Sequence, residues 1–183
     1  MKNFFYIVPV ALLFFAFQAD NKIVWKETTK LAWDDFKGKP DGSSPYKANT
    51  ETEVAVDIKT KGDLAIITLE CCFIKNASWT KDNKNPGLLI HEQMHFNITE
   101  ISVRKFRQKL KGKIFPAKTF QQELTKTHAE IGRESKAMQA EYDKETEHSV
   151  NEAAQKKWNK KVLDELKSLA DFAEPVITCT LSK

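Results

Sequence analysis

The sequence predicts a single α+β domain, a small antiparallel β-sheet in the N-terminal half packed on long helices in the C-terminal half. Three observations carry this. Residues 53–60 and 64–73 are rich in Val, Ile, Thr and Leu and flank Lys61-Gly62-Asp63, a turn signal, so they read as an antiparallel hairpin. From residue 87 onward the apolar period becomes helical. No repeat, low-complexity tract or linker divides the 183 residues, a length that supports one real core.

Residues 1–19 read as a secretory signal peptide. Lys2 precedes a mostly apolar run of 14 residues, 4–17, too short for the roughly 20 that span a bilayer. Ala16 and Ala19 offer cleavage points, although Phe14 or Phe17 would then occupy the −3 position. The expectation is an exported protein, periplasmic or extracellular, with residues 20–183 as the mature domain and no stable membrane insertion after cleavage. The net charge is only +4 and the charges interleave along helices, which gives no concentrated basic patch for nucleic acid.

The elements follow in order. Short β-favouring pieces surround Trp25 and Trp33. Residues 37–47 are loop by their Gly, Pro and Ser content, and the hairpin comes next. A first long helix is expected over 87–111, ended by Gly112, and a second over 119–145. A third should begin near Ser149, where Ser149-x-x-Glu152 reads as a capping box, with Val150, Ala154, Trp158, Val162, Leu166 and Leu169 as its apolar stripe. Cys71 and Cys72 point to opposite faces of a strand, so one at most meets Cys179; one disulfide with a free thiol and three buried thiols are almost equally expected.

Within the first helix lies His91-Glu92-Gln93-Met94-His95, an HExxH motif. Two imidazoles at i and i+4 share a helix face and can bind one Zn²⁺, and Glu92 beside them can act as general base on a metal-bound water. At about 100° per residue, with His91 at zero, His95 falls near ~40°, and Ser102, Phe106 and Leu88 fall within ~60°. The histidine face therefore continues into an apolar stripe and points inward. A catalytic zinc needs a third protein ligand. Glu100 lies near ~180° on the same wheel, so it is rejected as a ligand and read as an ion pair with Arg104. A short connection after Gly112 makes the second helix antiparallel, which sets the metal turn opposite about residue 137, within a register of several residues. Candidates in that zone are Glu134, Glu141, Asp143, His128 and His148. His128 lies mid-helix on an apolar stripe and reads as packing. His148 sits where the chain bends before the third helix, can swing back, and is favoured slightly over the acids. Tyr142, near the same bend, is the candidate for stabilising an oxyanion.

The segments 31–40 (LAWDDFKGKP), Ser78-Trp79, 88–96 (LLIHEQMHF) with Glu100 and Arg104, and 142–148 (YDKETEH) with Gln155 and Trp158 are similar to those of a bacterial family. It is catalogued as domain of unknown function nine-twenty-two and consists of predicted secreted zinc-dependent proteases. The resemblance covers nearly all of the expected mature chain. It implies zincin-like helices, an extracytoplasmic metallopeptidase-like role on a peptide or protein substrate, and His148 as the third zinc ligand. The chain departs from the family pattern at Asn97, where Asp is usual, and at Ser149, where Gly is usual. The competing expectations are a non-catalytic exported zinc-binding protein and a zinc hydrolase of another amide, such as a cell-wall bond.

Overall fold

The computed structural model describes residues 21–183; the expected signal peptide lies outside them. The α+β architecture is as the sequence predicts. The hairpin strands are β3, Thr52–Lys61, and β4, Leu64–Ile74, paired antiparallel from Lys61↔Leu64 to Thr52↔Phe73. Gly62 sits at the turn with φ +63, a conformation that favours glycine. The other side of β4 is shared by two strands. β1, Lys22–Val24, pairs with residues 72–74, and the C-terminal strand β7, Val176–Ser182, pairs with residues 64–68. A short strand β6, Ile114–Pro116, lies parallel to β7. A separate two-stranded ribbon joins β2, Ala48–Asn49, to β5, Trp79–Thr80.

Three α-helices follow the expected order: α1, Pro86–Leu110; α2, Phe120–Thr146; and α3, Glu152–Ser168. Asn85 caps α1 by accepting from Leu88 N, with Pro86 at the first helical position. Helix α1 is central. One side, Phe96, Val103, Phe106 and Leu110, packs on Ala65, Ile67, Leu69, Cys71 and Phe73 of β4 and on Phe120, Leu124 and Ile131 of α2. The other side, Met94, Ile98 and Ile101, meets Tyr142 of α2 and Trp158, Val162 and Leu166 of α3. A helix covered on both sides holds its polar groups in the core. Glu100, rejected as a ligand, shows this: it bonds both Arg104 Nε (3.0 Å) and Arg107 Nη1 (2.9 Å), all three buried.

Two details differ from the sequence reading. The third helix is capped by Asn151, which accepts from Ala154 N, and not by a box at Ser149. Val150, assigned to its apolar stripe, is 74 % exposed. The cysteines are all free and buried. Cys71 lies opposite Val54, while Cys179 lies opposite Ala65, six residues further along β4. That separation is roughly 20 Å, well beyond the reach of a disulfide.

The loop segment 37–47 is fastened to residues 75–81. Gly38 N donates to Ser78 O at 2.8 Å, and a Cβ on Gly38 would stand 2.8 Å from that same oxygen, so the two backbones meet where no side chain fits. Ser78, buried, donates to Ile74 O and accepts from Glu51 N. This pairing sets the chain from Pro45 to Val54 as one wall of a cleft of about 910 Å³, whose opposite wall is α1 and α2.

Candidate metal centre

Helix α1 presents His91 and His95 to α2, with His91 2 % exposed. Their Nε2 atoms lie 3.1 Å apart. Two ligands of one zinc at 2.0–2.1 Å and a near-tetrahedral angle stand about 3.3 Å apart, so the pair is already spaced for a shared ion. Asp143 of α2 brings Oδ1 to 3.1 Å from His91 Nε2 and 3.0 Å from His95 Nε2. His148 Nδ1 is 3.5 Å from the same oxygen. One ligand atom each from His91, Asp143 and His148 falls within 4.8 Å of the others, a group able to hold a metal ion.

The backbone after α2 makes this approach possible. Glu147, His148 and Ser149 have φ of 49°, 51° and 78°, three consecutive left-handed residues. His148 N still donates to Asp143 O, and Asn151 N to Thr146 O, which locks the reversal. The turn returns His148 toward the histidines, as its place at a helix break leads one to expect. Its ring packs against Tyr46 of the facing wall, centroids 4.6 Å apart.

Glu92 is buried beside the pair and lines the cleft. Its Oε2 is the one buried side-chain polar atom without a hydrogen-bond partner among the described residues. A carboxylate left unsatisfied at such a place is costly unless a ligand meets it.

The outer contacts fix both rings. His91 Nδ1 is 3.1 Å from Gln155 Oε1, and its ring lies flat on Tyr142. His95 Nδ1 meets Gln139 Oε1, and Gln139 Nε2 donates to His95 O at 3.0 Å. Tyr142 is fully buried. Its hydroxyl donates to His91 O (3.1 Å) and accepts from Gln155 Nε2 (2.7 Å), and burial pushes the phenol far above its usual range. It does not line the cleft. The oxyanion role expected of Tyr142 is therefore withdrawn: a hydroxyl committed on both sides behind His91 has no proton to offer a substrate. Among the described residues, Tyr46 is the tyrosine that lines the cleft.

Electrostatics favour a cation at the convergence. Partial burial works to raise the Asp143 carboxyl, but the neighbouring His91 and His95 outweigh it and hold the group well below the usual carboxylate range. For His95, burial works to lower the imidazole, and Asp143, Glu92 and Gln139 together raise it.

Of the other residues the sequence offered, Glu141 turns outward to Lys161 (3.8 Å), and His128, exposed and lining the cleft, stacks on Phe106 with centroids 5.6 Å apart. Asn97 lies off the metal face, accepting from the Trp25 indole and from Gln93 Nε2. Gln139 and Thr146 were not singled out from the sequence. The available signal was their spacing from the other two: residues 139, 142, 143 and 146 share one face of α2 at i, i+3, i+4 and i+7.

Residues 75–149 match the family model described as bacterial protein of unknown function (DUF922). The matched span runs from the turn before β5 through α1 and α2 to the left-handed turn, and so holds His91, Glu92, His95, Asp143 and His148. No curated protein and no solved structure matches the chain significantly.

Proposed function

We propose that this chain is an exported zinc-dependent peptidase. One Zn²⁺ would be held by His91, His95 and a third ligand from the Asp143/His148 pair, with Glu92 as general base. The observation that supports this best is the buried, unpartnered Glu92 Oε2, on a residue that lines the cleft together with His91 and His95, whose Nε2 atoms stand 3.1 Å apart. A zinc that only held the fold together would need no such carboxylate.

The donor set suits the metal: imidazole and carboxylate ligands with one side open to a cleft are the pattern of catalytic rather than structural zinc. When bound, zinc supplies an acidified water and polarises a carbonyl. This chain's residues do the rest. Glu92 accepts the proton through Oε2 and can return it to a leaving amine. The wall carrying Tyr46 and residues 48–54 flanks the substrate, and the cleft is large enough for several residues of extended peptide. Among the described residues no helix is long and apolar enough to cross a membrane.

The test is zinc content and cleavage of a peptide library by wild type and Glu92→Gln. The expected outcome is one zinc in each, cleavage by wild type, and a loss of at least about 100-fold in the variant. If both hold one zinc and neither cleaves, the enzyme reading fails and a non-catalytic zinc-binding protein replaces it.

A further inference from the structure

We propose that Gln139 and Gln155 set the proton pattern of the metal-site histidines, each holding a proton on Nδ1 and leaving Nε2 bare. The proposal rests on the metal reading above for its purpose, though not for its evidence.

The evidence is the direction of every hydrogen bond in two closed circuits. A backbone carbonyl only accepts. His91 O therefore takes the Tyr142 hydroxyl proton. With its proton spent, that hydroxyl oxygen must accept from Gln155, so the Gln155 nitrogen faces Tyr142. The same nitrogen gives its second proton to Asn159 Oδ1 at 2.7 Å. The Gln155 oxygen is left against His91 Nδ1, which must donate. Thr146 agrees: its hydroxyl proton goes to Tyr142 O at 2.7 Å, so toward His91 Nδ1, 3.5 Å away, it too can only accept.

The second circuit is shorter. Gln139 Nε2 donates to His95 O and to Thr99 Oγ1 (3.3 Å), while the Thr99 hydroxyl is itself within reach of His95 O (3.2 Å). Turning the Gln139 amide over would set its oxygen against a carbonyl. Its oxygen therefore faces His95 Nδ1, which must donate. Each circuit starts at a histidine's own carbonyl and ends at the same histidine's ring.

With both Nδ1 atoms protonated, the two neutral imidazoles aim their Nε2 lone pairs at Asp143 Oδ1. Three electron-rich atoms then stand 3.0–3.1 Å from one another. A cation relieves that arrangement, and a metal ion needs all three lone pairs free. Outer partners of this kind, usually carboxylates or backbone carbonyls, commonly orient metal-binding histidines. Here both are carboxamides, whose nitrogen ends anchor them to the backbone of the same residue or to the tyrosine beneath it. Gln139 and Gln155 are positioning residues: neither would touch the ion.

Two measurements test this. In metal-free protein above the imidazole titration range, long-range proton–nitrogen NMR should find His91 and His95 protonated on Nδ1. The competing pattern, Nε2 protonated and donating to Asp143, overturns the proposal. In zinc titrations with a competing chelator, Gln139→Leu and Gln155→Leu should each bind Zn²⁺ about 10–100-fold more weakly. Gln139→Glu keeps an acceptor at Nδ1 but sets its second oxygen against His95 O, so it should lose stability while binding Zn²⁺ more tightly than Gln139→Leu. Wild-type affinity in both leucine variants also overturns the proposal. If a variant fails to fold, the NMR result on wild type decides. If wild type takes up no zinc while Nδ1 is protonated in both rings, the metal reading fails and the proton pattern stands.

Discussion

The ring of Tyr142 lies flat against that of His91, with centroids 4.5 Å apart and planes 19° from parallel. The same tyrosine edges His95 at 5.0 Å and Trp158 at 5.3 Å. It is the floor on which the histidine pair rests, and it joins α2 and α3 to the metal turn of α1.

Tyr142→Phe keeps that floor and removes the hydroxyl. Two buried groups, His91 O and the Gln155 amide, then lose a partner, which should cost about 1–3 kcal/mol of stability. The expected outcome is a lower midpoint in chemical denaturation with an unchanged slope, and weaker Zn²⁺ binding. If Tyr142 instead met the substrate, the variant would keep wild-type stability and zinc affinity and lose turnover alone.

Ser149 sits at φ 78°. A non-glycine residue in the left-handed region carries strain of about 1–2 kcal/mol. Ser149→Gly relieves it, although the more flexible glycine makes the unfolded chain harder to order. A net gain of about 0.5–1 kcal/mol is expected in denaturant melts. Ser149→Val should destabilise by more than Ser149→Gly stabilises, because a β-branched residue suits positive φ least. An equal midpoint for all three proteins would show that the turn carries no strain.

The hairpin and the histidine pair were legible because both are local. Strand period, turn residues and the i, i+4 spacing need only a few consecutive residues. The inward direction of His91 also followed from the helix wheel. What the sequence did not yield is the register of α2 on α1. The metal turn was expected opposite about residue 137, yet His95 meets Gln139 and His91 meets Tyr142 and Asp143. The connection does not simply reverse the chain. Residues 114–116 form β6 on the C-terminal strand β7, while α2 still begins at Phe120, next to the expected residue 119, so the offset lies in how the two helices pack and not in where the second one starts. Strand β7 pairs only with the distant residues 64–68 and 114–116, so its place in the sheet is not marked by any local turn signal. The left-handed turn that presents His148 also depends on three φ angles that sequence period does not encode.

The three cysteines give a simpler check. Burial, with Glu70 and Glu53 nearby, pushes the Cys72 thiol up to about 11, and burial raises Cys71 and Cys179 as well. At neutral pH none presents a thiolate, the reactive form. A thiol reagent should label the native protein slowly at pH 7 and faster as pH rises, with Cys71, the thiol that burial raises most, the last to respond. In denaturant it should count three thiols without added reductant. A count of one would mean a disulfide, which the strand register forbids in this fold.

The third ligand can be decided by comparing Asp143→Ala with His148→Ala. Asp143 Oδ1 is equidistant from both Nε2 atoms and forms a triangle with them of sides 3.0–3.1 Å. His148 reaches the cluster only through that oxygen, and its side chain is 47 % exposed. Its ring is held by Tyr46 across the cleft rather than by a buried partner. On this geometry Asp143→Ala should weaken Zn²⁺ binding by more than the roughly 10–100-fold typical of outer partners, while His148→Ala should weaken it less. The family resemblance implies the reverse order, because His148 is the ligand it carries over. Both outcomes have a structural reading. If His148→Ala is the more damaging, the left-handed turn must bring Nδ1 onto the metal, and Asp143 then orients His148 from behind. If Asp143→Ala is the more damaging, the triad is two histidines and a carboxylate, and His148 with Tyr46 is left free at the open side to meet a substrate carbonyl. Metal stoichiometry and affinity of the two variants, measured side by side with a chelator, separate these arrangements without any knowledge of the substrate.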